Sequence, residues 1–458
     1  MRKITRSFIA LFAIAGMVSF SVPAPTLAVA EGQGSDNLTR VLIAFDKSVG
    51  PSEQALVHAH GGKIKYSYSI VDAIAATLPA QAIEGLSHNP HVVSVELDDT
   101  VYATDIELDN SWGVKRIGAG TVHTGSEQTG SANKGAGIKI GIIDSGVNYL
   151  HPDLNDNFDP LNLGYDFYYY DNEPMDVYGH GTHVAGTACA EDNDNGTKDK
   201  KGNPLYGVVG VAPNCDLYSL RVLSDSGVGY WSDIIAAVDW STGGLIYLPG
   251  YWDVPVGAPE EKIQGVKMDV INLSLGKDAH PGTIVEQAFI NAEEAGVVIV
   301  AAAGNSGNTA GSGDNVIYPA KFDSVIAVAA TDSANKRASF SSTGPKVELA
   351  APGVSVYSTW NDNTSYSAPQ PKCNRSDSGC YKYGSGTSMA SPHVAGVAAL
   401  VIATGVRDTN GNGRINDEVR TVMNSTAQGL GIAGPDNQYG NGLVSAVAAV
   451  ARSMELWP

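Results

Sequence analysis

Two patterns of apolar and polar positions divide the chain. Between residues 38 and 103, RVLIAF (40–45), IVDAIAATL (70–78) and VVSVELD (92–98) read as strands. PSEQALVHAHG (51–61) and PAQAIEGLSHNP (79–90) read as helices, the first stopped by a glycine. That order closes naturally as two helices on one face of a four-stranded antiparallel sheet. After Val101 the chain turns acidic and irregular, as a linker does.

From about residue 135 the pattern changes. KIGIIDSGV, CDLYSLRVL, MDVINLSLG, GVVIVAAAGN and DSVIAVAATD are continuous apolar strands. Between them, HGTHVAGTACA, SDIIAAVDWS and TIVEQAFINAEEAG carry helical periodicity. Strands of this kind alternating with helices predict a mostly parallel sheet covered on both faces. In such sheets functional groups gather beyond the carboxyl ends of the strands, and several of these strands end in small or polar residues: DSG, SLG and GNSG.

Composition narrows the function. Hydrophobic residues at 43% and charged residues at 17% describe a globular chain. A net charge of -19 with no basic run argues against nucleic acid or an anionic membrane as partner. The N-terminus combines basic MRKITR, apolar FIALFAIAGMVSF and the small-x-small site Ala28-Val29-Ala30, the layout of a signal peptide over residues 1–30. No later segment is apolar and long enough to span a bilayer. The chain is therefore expected to be secreted and extracellular. In an oxidising compartment four cysteines suggest two disulfides. Of the three connectivities, Cys373 with Cys380 across a short polar loop and Cys189 with Cys215 is preferred. Zinc is the rival reading, but no clustered Cys/His spacing supports it.

Three segments carry candidate chemistry: Asp144 in GIIDSGV, His180 in GHGTHVAGT and Ser388 in GTSMASPHVAG. Taken singly, they read as a strand-end cap, a structural histidine and a helix N-cap. Together they supply a weak nucleophile, a base to take its proton and a carboxylate to hold the base's tautomer. Asn305, directly after an apolar strand, is a candidate oxyanion donor. The order Asp, His, Ser is that of the subtilisin triad. Pro392 is expected within the first turn of a helix, where a missing amide costs nothing.

With these motifs the chain, from about Asn37 to Asn441, resembles the subtilisin-like serine protease family, preceded by its inhibitory propeptide. The resemblance implies a three-layer α/β fold around a mostly parallel sheet, after a small ferredoxin-like α+β prodomain. It divides the chain into a signal peptide (1–30), a propeptide (31–106) and a catalytic domain (107–458). Maturation is expected between Val101 and Glu107, in the tail DTVYATDIE. The same resemblance makes Ser388 the nucleophile, His180 the base, Asp144 its orienting carboxylate and Asn305 the oxyanion partner of the Ser388 amide; His183 and His393 are structural. It implies a monomeric endopeptidase acting on proteins and peptides, with its own propeptide as chaperone and inhibitor.

Substrate contacts follow from the same alignment. Gly227, Val228 and Gly229, with Ser274, Leu275 and Gly276, resemble the two segments that pair with substrate backbone. Ala302, Ala303 and Gly304 match a wall of the primary specificity pocket. Ile317 falls where many relatives carry glycine at the pocket floor, implying a shallower apolar pocket, and Trp231 lines a more distant subsite. Calcium is the expected cofactor. Asp153 in HPDL matches a family ligand, and the Asp-rich loop 191–209, with Asp192 and Asp194, replaces a shorter calcium loop. DTNGNGRINDE (408–418) fits the first half of an EF-hand-like loop through Asp408, Asn410, Asn412 and Gly413. Its twelfth position is Val419 instead of a carboxylate. Residues 241–266 read as an insertion of no assigned role.

Overall fold

The computed structural model describes residues 38–68, 71–98, 106–193, 207–247, 262–361 and 380–457. The expected signal peptide lies outside these residues, as do 99–105, on which most of the expected maturation segment falls. The chain divides into two compact units, Met1–Ala103 and Thr104–Pro458.

The first unit runs β1 (Leu38–Phe45), α1 (Pro51–Ala59), β2 (Lys63–Ser67), β3 (Ala73–Pro79), α2 (Ala80–Ser87) and β4 (Val92–Leu97). Its antiparallel sheet has the order β2-β3-β1-β4. The α+β expectation holds. The fourth strand is supplied by KIKYS, whose polar, largely exposed residues carry no apolar signal that periodicity could detect. Val41, Ile43, Ile74 and Leu78 from the strands pack with Val57 and Leu86 from the helices.

The second unit opens with three short helices, α3 (Ile106–Asn110), α4 (Trp112–Arg116) and α5 (Ala119–Thr124). There follow β5 (Lys139–Asp144), β6 (Gly164–Asp166), α6 (His180–Cys189), β7 (Asp216–Arg221), α7 (Trp231–Trp240), β8 (Leu245–Tyr247), β9 (Lys262–Gln264) and β10 (Val270–Leu273). The remainder is α8 (Thr283–Glu294), β11 (Val298–Ala302), β12 (Ile326–Thr331), β13 (Val347–Pro352), β14 (Val356–Thr359), β15 (Tyr381–Gly384), α9 (Thr387–Ile402), α10 (Asn416–Thr426) and α11 (Ala446–Leu456). The main sheet is parallel with order β13-β12-β11-β10-β5-β7-β6, as the α/β pattern predicts. The insertion contributes the short β8–β9 ribbon; residues 248–261 lie outside the described residues.

The apolar strands are explained by burial on both faces. In β11, Val298 and Val300 join one core cluster, with residues of α6, α9 and α11. Ile299 and Ala301 join the opposite cluster, with residues of α7 and α8. Neither face of these strands meets water, so alternation of polar and apolar residues is lost. α9 is buried along its whole length except at Ser388. Its small residues let neighbours approach closely: a Cβ on Gly396 would stand 2.5 Å from Val211 Cβ and 3.1 Å from the Ala188 carbonyl.

Two expectations are corrected. Cys189 and Cys215 form the expected disulfide, but Cys380 is a buried free thiol; Cys373 lies outside the described residues. Pro392 sits beyond the first turn of α9, where its missing amide leaves the Ser388 carbonyl without its i+4 donor. The Ser274 hydroxyl donates to that carbonyl instead, at 2.9 Å. Substituting Gly396→Leu is expected to cost about 1–3 kcal/mol by overpacking the α6–α9 contact. A lowered thermal midpoint of the folded protein checks it.

Candidate active site

Parallel strands place their carboxyl ends on one edge of the sheet, and the candidate residues collect there. Asp144 is the last residue of β5 and is fully buried. Its Oδ1 accepts from the Ser145 amide and lies 2.7 Å from His180 Nδ1. His180 opens α6, preceded by Gly179 in a left-handed conformation (φ 96°) that turns the chain into the helix. The imidazole keeps about a quarter of its surface exposed.

A second carboxylate stands behind this pair. Asp176 is fully buried and accepts from Ser145 Oγ, the Gly179 amide, and both the amide and hydroxyl of Thr182. Burial pushes its pKa up, and these donors oppose the rise. At His180, burial works to lower the pKa. The Asp144 charge and hydrogen bond and the Asp176 charge outweigh it, so the net shift is upward. His183 and His393 differ: burial drives both down to about 4, which keeps them neutral. His183 Nε2 bonds to the carbonyls of Val356 and Lys382, and His393 Nδ1 to that of Met389.

Ser388 is the second residue of α9, so its amide has no intrahelical acceptor. Its hydroxyl donates to the Ser274 carbonyl at 3.2 Å. Asn305 follows β11 on the surface. Its Oδ1 accepts from both the amide (2.9 Å) and the hydroxyl (3.1 Å) of Thr387. With the oxygen so committed, Nδ2 is the end left to donate. Thr387, one residue before Ser388, was not singled out from sequence; its contact with Asn305 spans 82 residues.

A groove of about 430 Å³ is lined by His180, Gly227, Val228, Gly229, Ser274, Leu275 and Gly276. Trp231, Tyr178, Leu223, Ile234 and Lys277 complete it. Sequence reasoning missed the last four, which have no motif around them. Ala302 and Ala303 are buried and, with Gly304, lie outside this lining. The segments Gly227–Gly229 and Ser274–Gly276 both border this groove.

The expected calcium ligands divide. Among the described residues, no group of three or more His, Cys, Asp or Glu side chains is placed to hold a metal. Asp153 Oδ2 is taken by the Val208 amide and the Tyr381 hydroxyl, while Asp192 pairs with Lys134 at 2.6 Å. Asp194 and the rest of that loop through residue 206 lie outside the described residues. The second loop is better formed. Asp408 accepts from the amides of Asn410, Gly411 and Gly413, and the side-chain amides of Asn410 and Asn412 converge on Asp417 Oδ2 at 2.6 and 2.9 Å. Asp417 Oδ1 and Glu418 Oε2 are buried without a hydrogen-bond partner. Val419, at the twelfth position, is in the core.

Residues 135–442 match the Subtilase family (Peptidase_S8), and residues 33–104 match the Peptidase inhibitor I9 family. Subtilisin J of Geobacillus stearothermophilus is 33% identical over 437 residues, covering 94% of this chain and 95% of its own length. Subtilisin E of Bacillus subtilis (strain 168) is 34% identical over 417 residues, 90% of each chain. Subtilisin DY of Bacillus licheniformis is 41% identical over 317 residues, 69% of this chain and 92% of its own.

With His180 as the base that the sequence leads one to expect, activity should rise with pH through a pKa above the ordinary histidine value. Asp176→Asn removes one of the charges that raise it and should move this limb to lower pH. The pH profile of kcat/KM for both proteins checks the direction.

Proposed function

The chain belongs to the subtilase family and is a serine protease made as a zymogen, and from that premise we propose that Asp144, His180 and Ser388 carry the reaction. The observation that carries this reading is the buried Asp144 carboxylate 2.7 Å from His180 Nδ1, which leaves Nε2 as the base. Ser388 Oγ attacks the scissile carbonyl as its proton passes to Nε2, and Asp144 stabilises the imidazolium. The oxyanion accepts from the Ser388 amide and Asn305 Nδ2, and the helix dipole adds to their field. His180 returns the proton to the leaving amine. Water, deprotonated in turn by His180, then releases the acyl group from Ser388.

The reading extends to synthesis. Residues 1–30 export the chain, the unit matching the I9 family folds with and inhibits the protease, and cleavage between Val101 and Glu107 separates them. No helix among the described residues is long and apolar enough to cross a membrane. The mature enzyme is a secreted monomer with broad endopeptidase action, since backbone pairing tolerates varied sequences.

Secreted wild type is expected to digest casein and lose the propeptide mass, while Ser388→Ala does neither. Digestion by that variant would overturn the assignment. Asn305→Ala should lower kcat by about 10²–10³, a figure established on a subtilisin and carried over here, with little change in KM.

Calcium belongs to the same proposal as a structural ion in the loop 408–418. Asp408, Asn410, Asn412 and Asp417 would hold it, with hard oxygens suited to the ion. It would brace the entry to α10. Added calcium should raise the thermal midpoint of the wild type, by the equivalent of about 2.7 kcal/mol at a hundredfold excess over Kd. Asp408→Ala should reduce that gain.

A further inference from the structure

The groove wall Gly227–Gly229 belongs to a loop that leaves the sheet at Arg221, the last residue of β7. Within the loop, Leu223 bridges antiparallel to Gly229, and the Ser224 amide donates to the Val228 carbonyl at 2.8 Å. The Gly227 amide donates to the Ser224 carbonyl at 2.9 Å, closing the tip. These bonds fix the shape of the loop. They do not fix its angle to the sheet edge where His180 lies, and its outer part, at Val228 and Tyr230, is exposed.

The Arg221 side chain supplies the missing brace. It is fully buried, and every nitrogen of its planar fork is engaged. Nε donates to the Leu223 carbonyl at 3.2 Å, and Nη2 donates to Asp225 Oδ1, so two contacts reach into the loop. Nη1 donates to the Met175 carbonyl at 2.9 Å and lies 3.3 Å from Asp166 Oδ2. Asp166 ends the neighbouring strand β6, and its other oxygen accepts from the Tyr168 and Tyr169 amides. The Tyr169 ring then covers the guanidinium, 4.8 Å from its carbon. Met175 precedes Asp176, which holds the entry to α6. From that entry Tyr178 packs on the loop tip: a Cβ on Gly227 would stand 2.9 Å from its ring.

We propose that Arg221 is a positioning residue that sets the angle of the Gly227–Gly229 wall against the segment carrying His180. This rests on the protease reading and deepens it, since the wall then borders bound substrate. Desolvating a guanidinium offsets most of what a buried ion pair gains, so these contacts are worth more for position than for stability. A rigid fork can hold Leu223, Asp225, Met175 and Asp166 at once; a lysine ammonium, with one nitrogen, cannot span them. Loss of the brace lets the wall tilt, and a substrate long enough to lie along it suffers most.

The test uses the mature enzyme and two substrates with the same leaving group and the same residue before the scissile bond. One is a tetrapeptide that lies along the groove, the other a single acylated amino acid that does not. Active-site titration corrects each rate for the fraction folded. In Arg221→Lys, which keeps the charge beside Asp166, the tetrapeptide-to-single ratio of kcat/KM should fall about tenfold, inside the roughly 10²-fold that misplacement by an ångström costs. Asp225→Ala, which cuts one arm at a part-exposed side chain, should lower the same ratio by less. A merely structural role would slow both substrates alike. An unmoved ratio in both variants therefore overturns the inference and leaves the protease standing. Should Arg221→Lys give no titratable enzyme, Asp225→Ala decides alone. If wild type cleaves neither substrate and matches Ser388→Ala, the protease reading itself fails, and this inference with it.

Discussion

The enclosure of α9 is the constraint on which the catalytic unit is built. A helix that is apolar all round has no face to give to water, so it must be surrounded. The parallel sheet covers one side, while α6, α10 and α11 cover others. Ser388 alone is left partly exposed, at the end where the helix meets the carboxyl edge of the sheet. Burial thus aims the serine as well as stabilising the helix. It also explains the crowding of Gly, Ala and Ser in α9, since larger residues would hold α6 away.

Polar groups at this edge are joined across the fold instead of along the chain. Pro392 removes an amide from α9, and Ser274, at the end of β10, restores the lost hydrogen bond to Ser388. Ser274 Oγ also meets Ser391 Oγ and accepts from Asn272 Nδ2, so one hydroxyl ties the groove wall to α9. Behind His180, Ser145 links Asp144 to Asp176: its amide donates to the first and its hydroxyl to the second. Buried carboxylates so close together persist because donors surround Asp176 and His180 answers Asp144.

The groove side follows a different rule, in which absence of side chains makes room for backbone or for one intruding residue. Gly229 lies so close to the Val222 carbonyl that a Cβ would stand 2.2 Å from it, which keeps this groove wall tight. Gly276 and Gly304 instead surrender their space to Ile317.

Much of this protein was legible along the chain. Apolar runs such as KIGIID and GVVIVAAA betray a parallel sheet because strands buried on both faces need no polar alternation. The Asp, His and Ser segments are recognisable because helix entry and strand exit demand particular small residues close to each reactive group. KIKYS was missed as a strand since its residues face solvent, and Pro392 was misplaced because the start of α9 is set by packing. Asn305 could be named from its position, but its orientation depends on Thr387, far away in sequence. Asp176 carries no motif of its own; only folding brings its charge beside His180. Local sequence determined which elements form, since neighbours along the chain feel periodicity and turn chemistry. The tertiary structure alone decided which oxygen faces which donor, and how far Ile317 reaches between two glycines, because those distances are set by packing between segments that the sequence keeps apart.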